Sequence, residues 1–223
     1  MAVRSTFDEL IDKVVLKGIE TKADIETEIK AWLNEAYDKI KARNLDCLKT
    51  ETTFNTVIGI PFYALSTVAP HFRDPIAVFS NLGKVEIQPL QKVRALIYGL
   101  ATADRTPGQP IVCWFKLERI YLEAVPDAIY PITIEYYQEP DALTLPGEFF
   151  LVPQRKEFLL INYALAIYDF KAKDWDAVNA AKAEFYAELA QWENEDSPAN
   201  KDMDYSNVVE LQGQFNQEWR GDS

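Results

Sequence analysis

Apolar residues recur at three- and four-residue spacing near both ends of the chain, which is the period of an amphipathic helix. Near the N-terminus these positions are Phe7, Leu10, Ile11, Val14 and Val15, followed by Ile25, Ile29, Trp32, Leu33, Ala36 and Ile40. Towards the C-terminus they are Leu160, Tyr163, Ala164 and Ile167, followed by Val178, Ala181, Phe185, Leu189 and Trp192. The pattern predicts one helical hairpin within residues 1–50 and a second within residues 151–194.

Polar residues mark where these helices begin. Thr6 and Glu9 have the spacing of a capping box, in which each side chain binds the other residue's backbone N–H. Thr21 and Asp174 stand where N-caps of later helices are expected. The turn at residues 171–173 is short enough to make the last two helices an antiparallel hairpin. Along the second helix, the i,i+4 spacing of Glu26–Lys30 predicts an exposed ion pair.

Between the hairpins, residues 51–150 change in character. Ten prolines in this stretch exclude long helices. The β-rich runs predict five strands: Thr52–Ile60, Ile76–Ser80, Ile111–Phe115, Arg119–Ala124 and Ile132–Tyr137. Residues 91–99 fit either a short helix or a sixth strand. The predicted fold class is α+β: a four-helix bundle of two helical hairpins with an inserted small antiparallel β-sheet and an extended C-terminal tail.

The tail, residues 195–223, is mostly polar and acidic, so it lacks the apolar content for a core of its own. It nevertheless carries one helical stripe at i, i+3, i+7 and i+11, formed by Val208, Leu211, Phe215 and Trp219. Such a stripe on a polar segment is typical of a helix that binds in a groove of a partner. The alternative is that the stripe folds back on its own bundle.

The 223 residues carry a formal net charge of -12, which argues against broad affinity for nucleic acid. The N-terminus lacks the apolar core of a signal peptide, and no apolar run approaches membrane-spanning length, so we expect a soluble protein without membrane association. Cys47 and Cys113 follow no metal-binding spacing. Two reduced thiols are the simpler interpretation, and a disulfide is the alternative.

No pattern in the chain predicts catalysis, a metal site or a cofactor. The single histidine, His71, has no second histidine or cysteine nearby, and nucleophile-elbow and phosphate-loop motifs are absent. Glu118, Glu123 and Glu135 lie in or beside predicted strands, and Asp104 lies in a predicted loop. They are interpreted as solvated faces and turn formers, with a hydrolase carboxylate pair as the alternative. We therefore expect a protein that is not an enzyme.

Aromatic residues are concentrated in the middle segment. They are Trp114, Phe115, Tyr121, Tyr130, Tyr136 and Tyr137. Aromatic side chains on a sheet usually serve packing. A glycan-binding module that stacks sugars on Trp114 or Tyr121 is the alternative from a different class of function.

Three segments together resemble the head-to-tail adaptor (connector) proteins of tailed bacteriophages. Residues 7–43, which include FDELIDKVV and DIETEIKAWLNEAYDKIKAR, are similar to the first two helices of that family. ERIYLEAVPDAIYPITIEYYQEP is similar to its central strand, Pro-Asp turn and tyrosine-ending strand. EFLLINYALAIYDFKAKDWDAVNAAKAEFYAEL is similar to its closing hairpin. The resemblance spans roughly Phe7 to Asn194.

The resemblance implies a structural protein of the virion neck, assembled in the cytoplasm of the bacterial host. It implies a homo-oligomeric ring of twelve copies that binds the portal protein, extends the DNA channel and provides the docking surface for nozzle or stopper proteins of the tail. It also assigns the stripe of Val208, Leu211, Phe215 and Trp219 to portal binding, while DNA passes through the channel without specific binding. The alternative within this class is another neck or tail-completion protein.

Overall fold

The structure is a computed structural model that describes residues 4–16, 23–89, 92, 105–171 and 175–196. Its helices and strands, in chain order, are α1 (Phe7–Leu16), α2 (Ala23–Lys41), β1 (Lys49–Asn55), β2 (Phe62–Ala64), α3 (Leu65–Val68), β3 (Phe72–Ser80), β4 (Gly83–Ile87), β5 (Val112–Lys116), β6 (Arg119–Leu122), β7 (Pro131–Gln138), α4 (Glu157–Lys171) and α5 (Trp175–Glu195). Short 3₁₀ turns at Asp46–Leu48 and Gln154–Lys156 precede β1 and α4.

The chain divides into two compact units. Met1–Asp46 and Leu143–Ser223 form the first, which we call the helical unit, and Cys47–Ala142 forms the second, which we call the sheet unit. The described helices of the helical unit are α1, α2, α4 and α5. In the described part of the sheet unit, the one helix is the single turn of α3. Two segments from the beginning and the end of the chain therefore belong to one unit, and the residues between them in sequence form the other.

Helix α4 is the centre of the helical unit, because α1, α2 and α5 all pack on it. Its buried residues point in several directions: Leu159, Leu160, Ile161, Tyr163, Ala164 and Ala166. A helix that is apolar on several sides is stable only when neighbours surround it. The sequence pattern had predicted a single stripe ending at Ile167, which is only partly buried.

Two local predictions for the helical unit are confirmed. At the start of α1, Glu9 Oε2 accepts the Thr6 N–H at 2.9 Å and Thr6 Oγ1 accepts the Glu9 N–H at 3.3 Å, which is the predicted capping box. Along α2, Lys30 Nζ lies 2.9 Å from Glu26 Oε1. The predicted caps at Thr21 and Asp174 lie outside the described residues.

The sheet unit contains one seven-stranded sheet in the order β1-β7-β3-β4-β5-β6-β2. All neighbouring strands are antiparallel except β4 and β5, which pair in parallel. The two edge strands, β1 and β2, come close to each other, since the ring centroids of Phe54 and Tyr63 lie 4.8 Å apart. The sheet therefore curls, and its inner face encloses a core that includes Val78, Val85 and Ile134.

The predicted fold class is wrong. The sequence predicted a four-helix bundle with a small inserted antiparallel sheet, whereas the described chain has five helices and a curled, mixed sheet of seven strands. The difference arises from β2 and β4, which the sequence analysis missed because strands of three and five residues show too little periodicity. Strand β4 joins β1-β7-β3 to β5-β6 in a single continuous sheet, and β2 adds an edge strand beside β6.

The turn between β5 and β6 is strained. Its two central residues, Leu117 and Glu118, have φ of 47° and 56°, the left-handed region in which Asn-Gly is preferred for a two-residue hairpin. Leu117 is also 79% exposed, so its side chain gains little from burial.

We expect the double substitution Leu117→Asn, Glu118→Gly to raise the free energy of unfolding by about 1 kcal/mol, because both new residues adopt this conformation at lower cost. Chemical denaturation of the two proteins checks this. The Leu65 N–H donates to the backbone oxygen of residue 118 at 2.8 Å, and glycine keeps this hydrogen bond because it retains the backbone carbonyl. A loss of stability would mean that the side chains of the turn contribute more than its geometry costs.

Candidate protein-docking surface

The sheet topology brings four segments to one end of the sheet unit. Asn55 at the end of β1 pairs with Pro131 at the start of β7, and Ser80 at the end of β3 pairs with Ile132. The loop after β1, the turn after β3 and the loop before β7 therefore share one end. The segment before β5 joins them, because Gln109 Nε2 donates to Asn81 Oδ1 at 2.7 Å. We call these segments, residues 56–61, 81–82, 107–111 and 124–130, the rim.

The rim carries most of the exposed apolar side chains of the sheet unit. Eight large apolar residues are exposed in its described part, and six of them lie on the rim. Those six are Val57 (52% exposed), Ile58 (62%), Ile60 (39%), Leu82 (77%), Ile111 (64%) and Ile129 (66%). Single exposed apolar residues are ordinary, but a concentration of them at one end of a sheet is typical of a protein-interaction site. The remaining two are Phe62, at the start of β2, and Leu117, at the opposite end of the sheet.

Hydrogen bonds from one tyrosine hold the most apolar part of the rim. The Tyr63 hydroxyl accepts the Val57 N–H at 2.8 Å and donates to Ile60 O at 2.8 Å. Burial raises the pKa of Tyr63. Between these two contacts the chain turns at Gly59, where φ is +81° and where a residue with a side chain would be strained.

A second set of hydrogen bonds joins the two longest rim segments. The Thr56 N–H donates to Tyr130 O at 2.9 Å, and the Tyr130 N–H donates to Thr56 Oγ1 at 2.8 Å. Thr56 Oγ1 also lies 3.2 Å from Ala128 O, and the Gly59 N–H donates to Pro126 O at 2.8 Å. Loops held at this many points have a fixed shape before any partner binds. Fixing the shape in advance lowers the entropic cost of binding.

The rim is almost uncharged, although 26% of the residues of this chain are charged. Its four segments read TVIGIP, NL, PGQPI and AVPDAIY, so Asp127 is its single charged residue. The carboxylate of Asp127 accepts the Tyr130 hydroxyl at 2.6 Å, and this hydrogen bond raises the pKa of Tyr130. A rigid, apolar and uncharged surface has the properties of a contact between proteins.

The sequence analysis did not find the rim, because it assigned residues up to Ile60 to a strand. Strand β1 ends at Asn55, five residues earlier. The available signal was TVIGIP itself, in which β-branched residues without intervening charges precede a proline. The predicted portal-binding residues Val208, Leu211, Phe215 and Trp219 lie outside the described residues. Their role stays a prediction.

The aromatic residues considered for glycan stacking serve mainly as packing. Trp114 is 5% exposed and stacks on Tyr121, with ring centroids 5.6 Å apart. The Arg105 guanidinium lies 5.7 Å from the centroid of the Trp114 ring. A sugar that stacks on Trp114 would require an exposed ring, so the structure offers no such platform at this residue.

The carboxylates considered for catalysis do not converge. Glu118 precedes β6 and Glu123 follows it, so the strand separates them by roughly 15 Å, beyond the spacing of a glycosidase pair. Glu135 lies on β7, opposite Glu51 of β1, and Asp104 is outside the described residues. His71 Nδ1 is 3.9 Å from Asp141 Oδ2, and no group of three potential metal ligands occurs in the described part of the chain.

Cys47 and Cys113 form no disulfide. Cys113 is buried in the sheet core, and burial raises the pKa of its thiol to about 12. None of the helices described here is long and apolar enough to cross a membrane.

Comparison with known proteins identifies the family of the chain. No curated protein matches the chain. Residues 5–204, however, match the sequence model of the SU10 adaptor protein family, which covers both units of the fold. The chain therefore belongs to the SU10 adaptor protein family, a family of bacteriophage head–tail adaptor-like structural proteins.

Proposed function

We propose that this protein is a non-enzymatic head–tail adaptor that forms a ring of twelve copies on the portal protein. The ring extends the DNA channel and presents a docking surface to nozzle or stopper proteins of the tail. Membership of the adaptor family supports the assignment to the virion neck. The single observation that carries the assembly role is the rim, whose rigid apolar loops have no evident purpose in an isolated chain.

The charge of the chain is consistent with a channel that DNA passes through. A net charge of -12 disfavours tight phosphate contacts, which require lysine and arginine to displace counterions. DNA can therefore slide along such a ring without being held.

The mass of the purified chain, measured alone and after mixing with purified portal, tests the proposal. Light scattering or mass photometry is expected to detect a complex of portal with twelve copies of the chain. A chain that never associates with the portal would contradict the portal role. If it instead joined a preformed adaptor ring, the protein would be a different component of the neck.

Truncation after Ser197 is expected to weaken portal attachment at least a hundredfold while the helical unit stays folded. Burial of Val208, Leu211, Phe215 and Trp219 contributes on the order of 8 kcal/mol before the cost of ordering the tail, so a net loss of about 3 kcal/mol is a conservative expectation. The truncated chain retains Asp196, whose carboxylate accepts the Asp46 N–H at 2.8 Å. Binding isotherms and a thermal melt measure the two properties.

A matched control separates the stripe from the rest of the tail. Serine at the four stripe positions of the full-length chain should reproduce the truncation, whereas alanine at Gln214 and Gln217, on the other side of the predicted helix, should leave attachment within twofold of the unmodified chain. Unchanged attachment after truncation would remove the tail from the portal contact. An unfolded truncated protein would show instead that the tail stabilises its own subunit.

A further inference from the structure

We infer that the rim is one of the two unlike surfaces through which neighbouring copies of this chain join. This inference rests on the proposed ring and names one of its contacts. A closed ring of identical subunits is built from heterologous contacts, in which one patch of each copy meets a different patch of the next. The rim of one copy therefore contacts a surface other than the rim on its neighbour.

The size of the rim suits a contact between subunits. Six exposed apolar side chains at roughly 100 Å² each present on the order of 600 Å². This lies at the upper end of the apolar patches found on ordinary monomers. It also approaches the roughly 800 Å² that each partner buries in a stable interface, before any neighbouring polar residue is counted.

The charge of the rim favours a second copy as the occupant. Each copy carries a formal net charge of -12, so copies repel one another wherever their acidic surfaces approach. This repulsion opposes a contact least where charges are nearly absent. The rim meets this condition, because its one carboxylate, Asp127, already accepts the hydroxyl of Tyr130. A basic partner, by contrast, would be attracted to the acidic surfaces and would gain no electrostatic attraction at the rim.

The hydrogen bonds of the rim also fit a contact that is repeated around a ring. Tyr63 and Thr56 hold the loop that presents Val57, Ile58 and Ile60. Each copy therefore presents the same surface shape, and closure of a ring requires the same geometry at every contact. Little entropy is lost on assembly, because these loops are already ordered.

The test introduces two carboxylates on the rim of the full-length chain, Ile58→Asp with Ile129→Asp. Both side chains are more than 60% exposed, so the sheet core is untouched and the melting temperature should stay close to that of the unmodified chain. Leu82→Asp, in a different rim segment, is the second variant in case the first folds poorly. Leu117→Asp is the matched control, because Leu117 is 79% exposed at the opposite end of the sheet.

Mass photometry of each protein, alone and with purified portal, gives the readout. The unmodified chain and the Leu117 variant are expected to form the ring, whereas both rim variants should stay monomeric at concentrations at least a hundredfold above those at which the unmodified chain assembles. Rim variants that assemble normally would overturn the inference and leave the proposed adaptor role standing. A rim variant that forms the ring but no longer binds the portal would show that the rim contacts the portal. This result would also overturn the inference.

A mixing experiment tests that the contact is heterologous. A rim variant keeps its second surface, so it can accept the rim of an unmodified neighbour but cannot bind the next copy. Equal amounts of the two proteins should therefore yield incomplete assemblies and few rings. If the unmodified chain forms its normal rings beside inert monomers, the rim does not act in a head-to-tail contact. If the unmodified chain never forms a ring, even with portal, the proposed function and this inference both fail.

Discussion

Replacement of Trp192 by alanine is expected to lower the free energy of unfolding by about 4 kcal/mol, the largest loss that we predict for a single side chain. Trp192 lies on α5 and is 1% exposed, so the substitution leaves a cavity as well as removing apolar contacts. The amino group of Lys156, a residue that is itself 7% exposed, lies 5.9 Å from the centroid of the indole. Loss of the ring also removes this cation–π contact. The same amino group forms an ion pair with Glu195 at 3.4 Å.

Urea denaturation measures this loss, with Tyr186→Ala as the matched control. Tyr186 lies on the same helix but is 45% exposed, so its removal should cost less than 1 kcal/mol. A Trp192→Ala protein within 1 kcal/mol of the unmodified chain would mean that burial of the indole contributes little to the stability of the helical unit.

Replacement of Glu157 by glutamine is expected to cost about 3 kcal/mol at neutral pH. Glu157 begins α4 and is 4% exposed, and its carboxylate accepts the backbone N–H and the hydroxyl of Ser5, each at 2.7 Å. Lys13 Nζ lies 3.1 Å from the same carboxylate. Glutamine has the size of glutamate but supplies one acceptor oxygen in place of two and no charge, which leaves one donor of this buried group without its partner.

The pH dependence of this loss has a definite sign. Burial by itself raises the pKa of Glu157, but the hydrogen bonds from Ser5 and Lys13 outweigh burial and hold the pKa below its ordinary value. A carboxylate with a depressed pKa stabilises the folded state above the pKa of the unfolded chain, which is about 4.3. That contribution is lost as the pH falls through the lower pKa of the folded state.

Chemical denaturation at several pH values between 7 and 3 checks this second prediction. The difference in stability between Glu157→Gln and the unmodified chain should be largest above pH 5 and should shrink below pH 4. Glu184→Gln, which changes an exposed carboxylate on α5, is the control and should cost less than 0.5 kcal/mol at any pH. A difference that stays constant over this range would show that the charge of Glu157 contributes nothing.

Sequence periodicity located the helices well because each helix is decided mainly by residues close in the chain. In α1, four of the five predicted residues, Phe7, Leu10, Ile11 and Val14, are buried, and Val15 is partly buried. In α5, four of the five predicted positions, from Val178 to Trp192, are buried, and Ala181 is partly buried. The five predicted strands overlap β1, β3, β5, β6 and β7, since runs of β-branched and aromatic residues are visible without knowledge of their partners.

The candidate docking surface was less accessible to sequence reasoning. Val57, Ile58 and Ile60 look like the continuation of a strand, and only the hydrogen bonds from Tyr63 and the turn at Gly59 show that they form a loop. Leu82, Ile111 and Ile129 are isolated apolar residues in their own segments. Nothing local indicates that such distant residues share one end of a sheet.

The sequence by itself determined the helix positions, the capping box at Thr6, most of the strands and the absence of charge in the segments that became the rim. Each of these depends on residues within a few positions of one another. Only the tertiary structure decided the parallel pairing of β4 with β5, the burial of Glu157 against Ser5, 152 residues away, and the assembly of the rim. Those features require segments far apart in the chain to meet, and their partners are chosen by the packing of the whole unit, which no local pattern encodes.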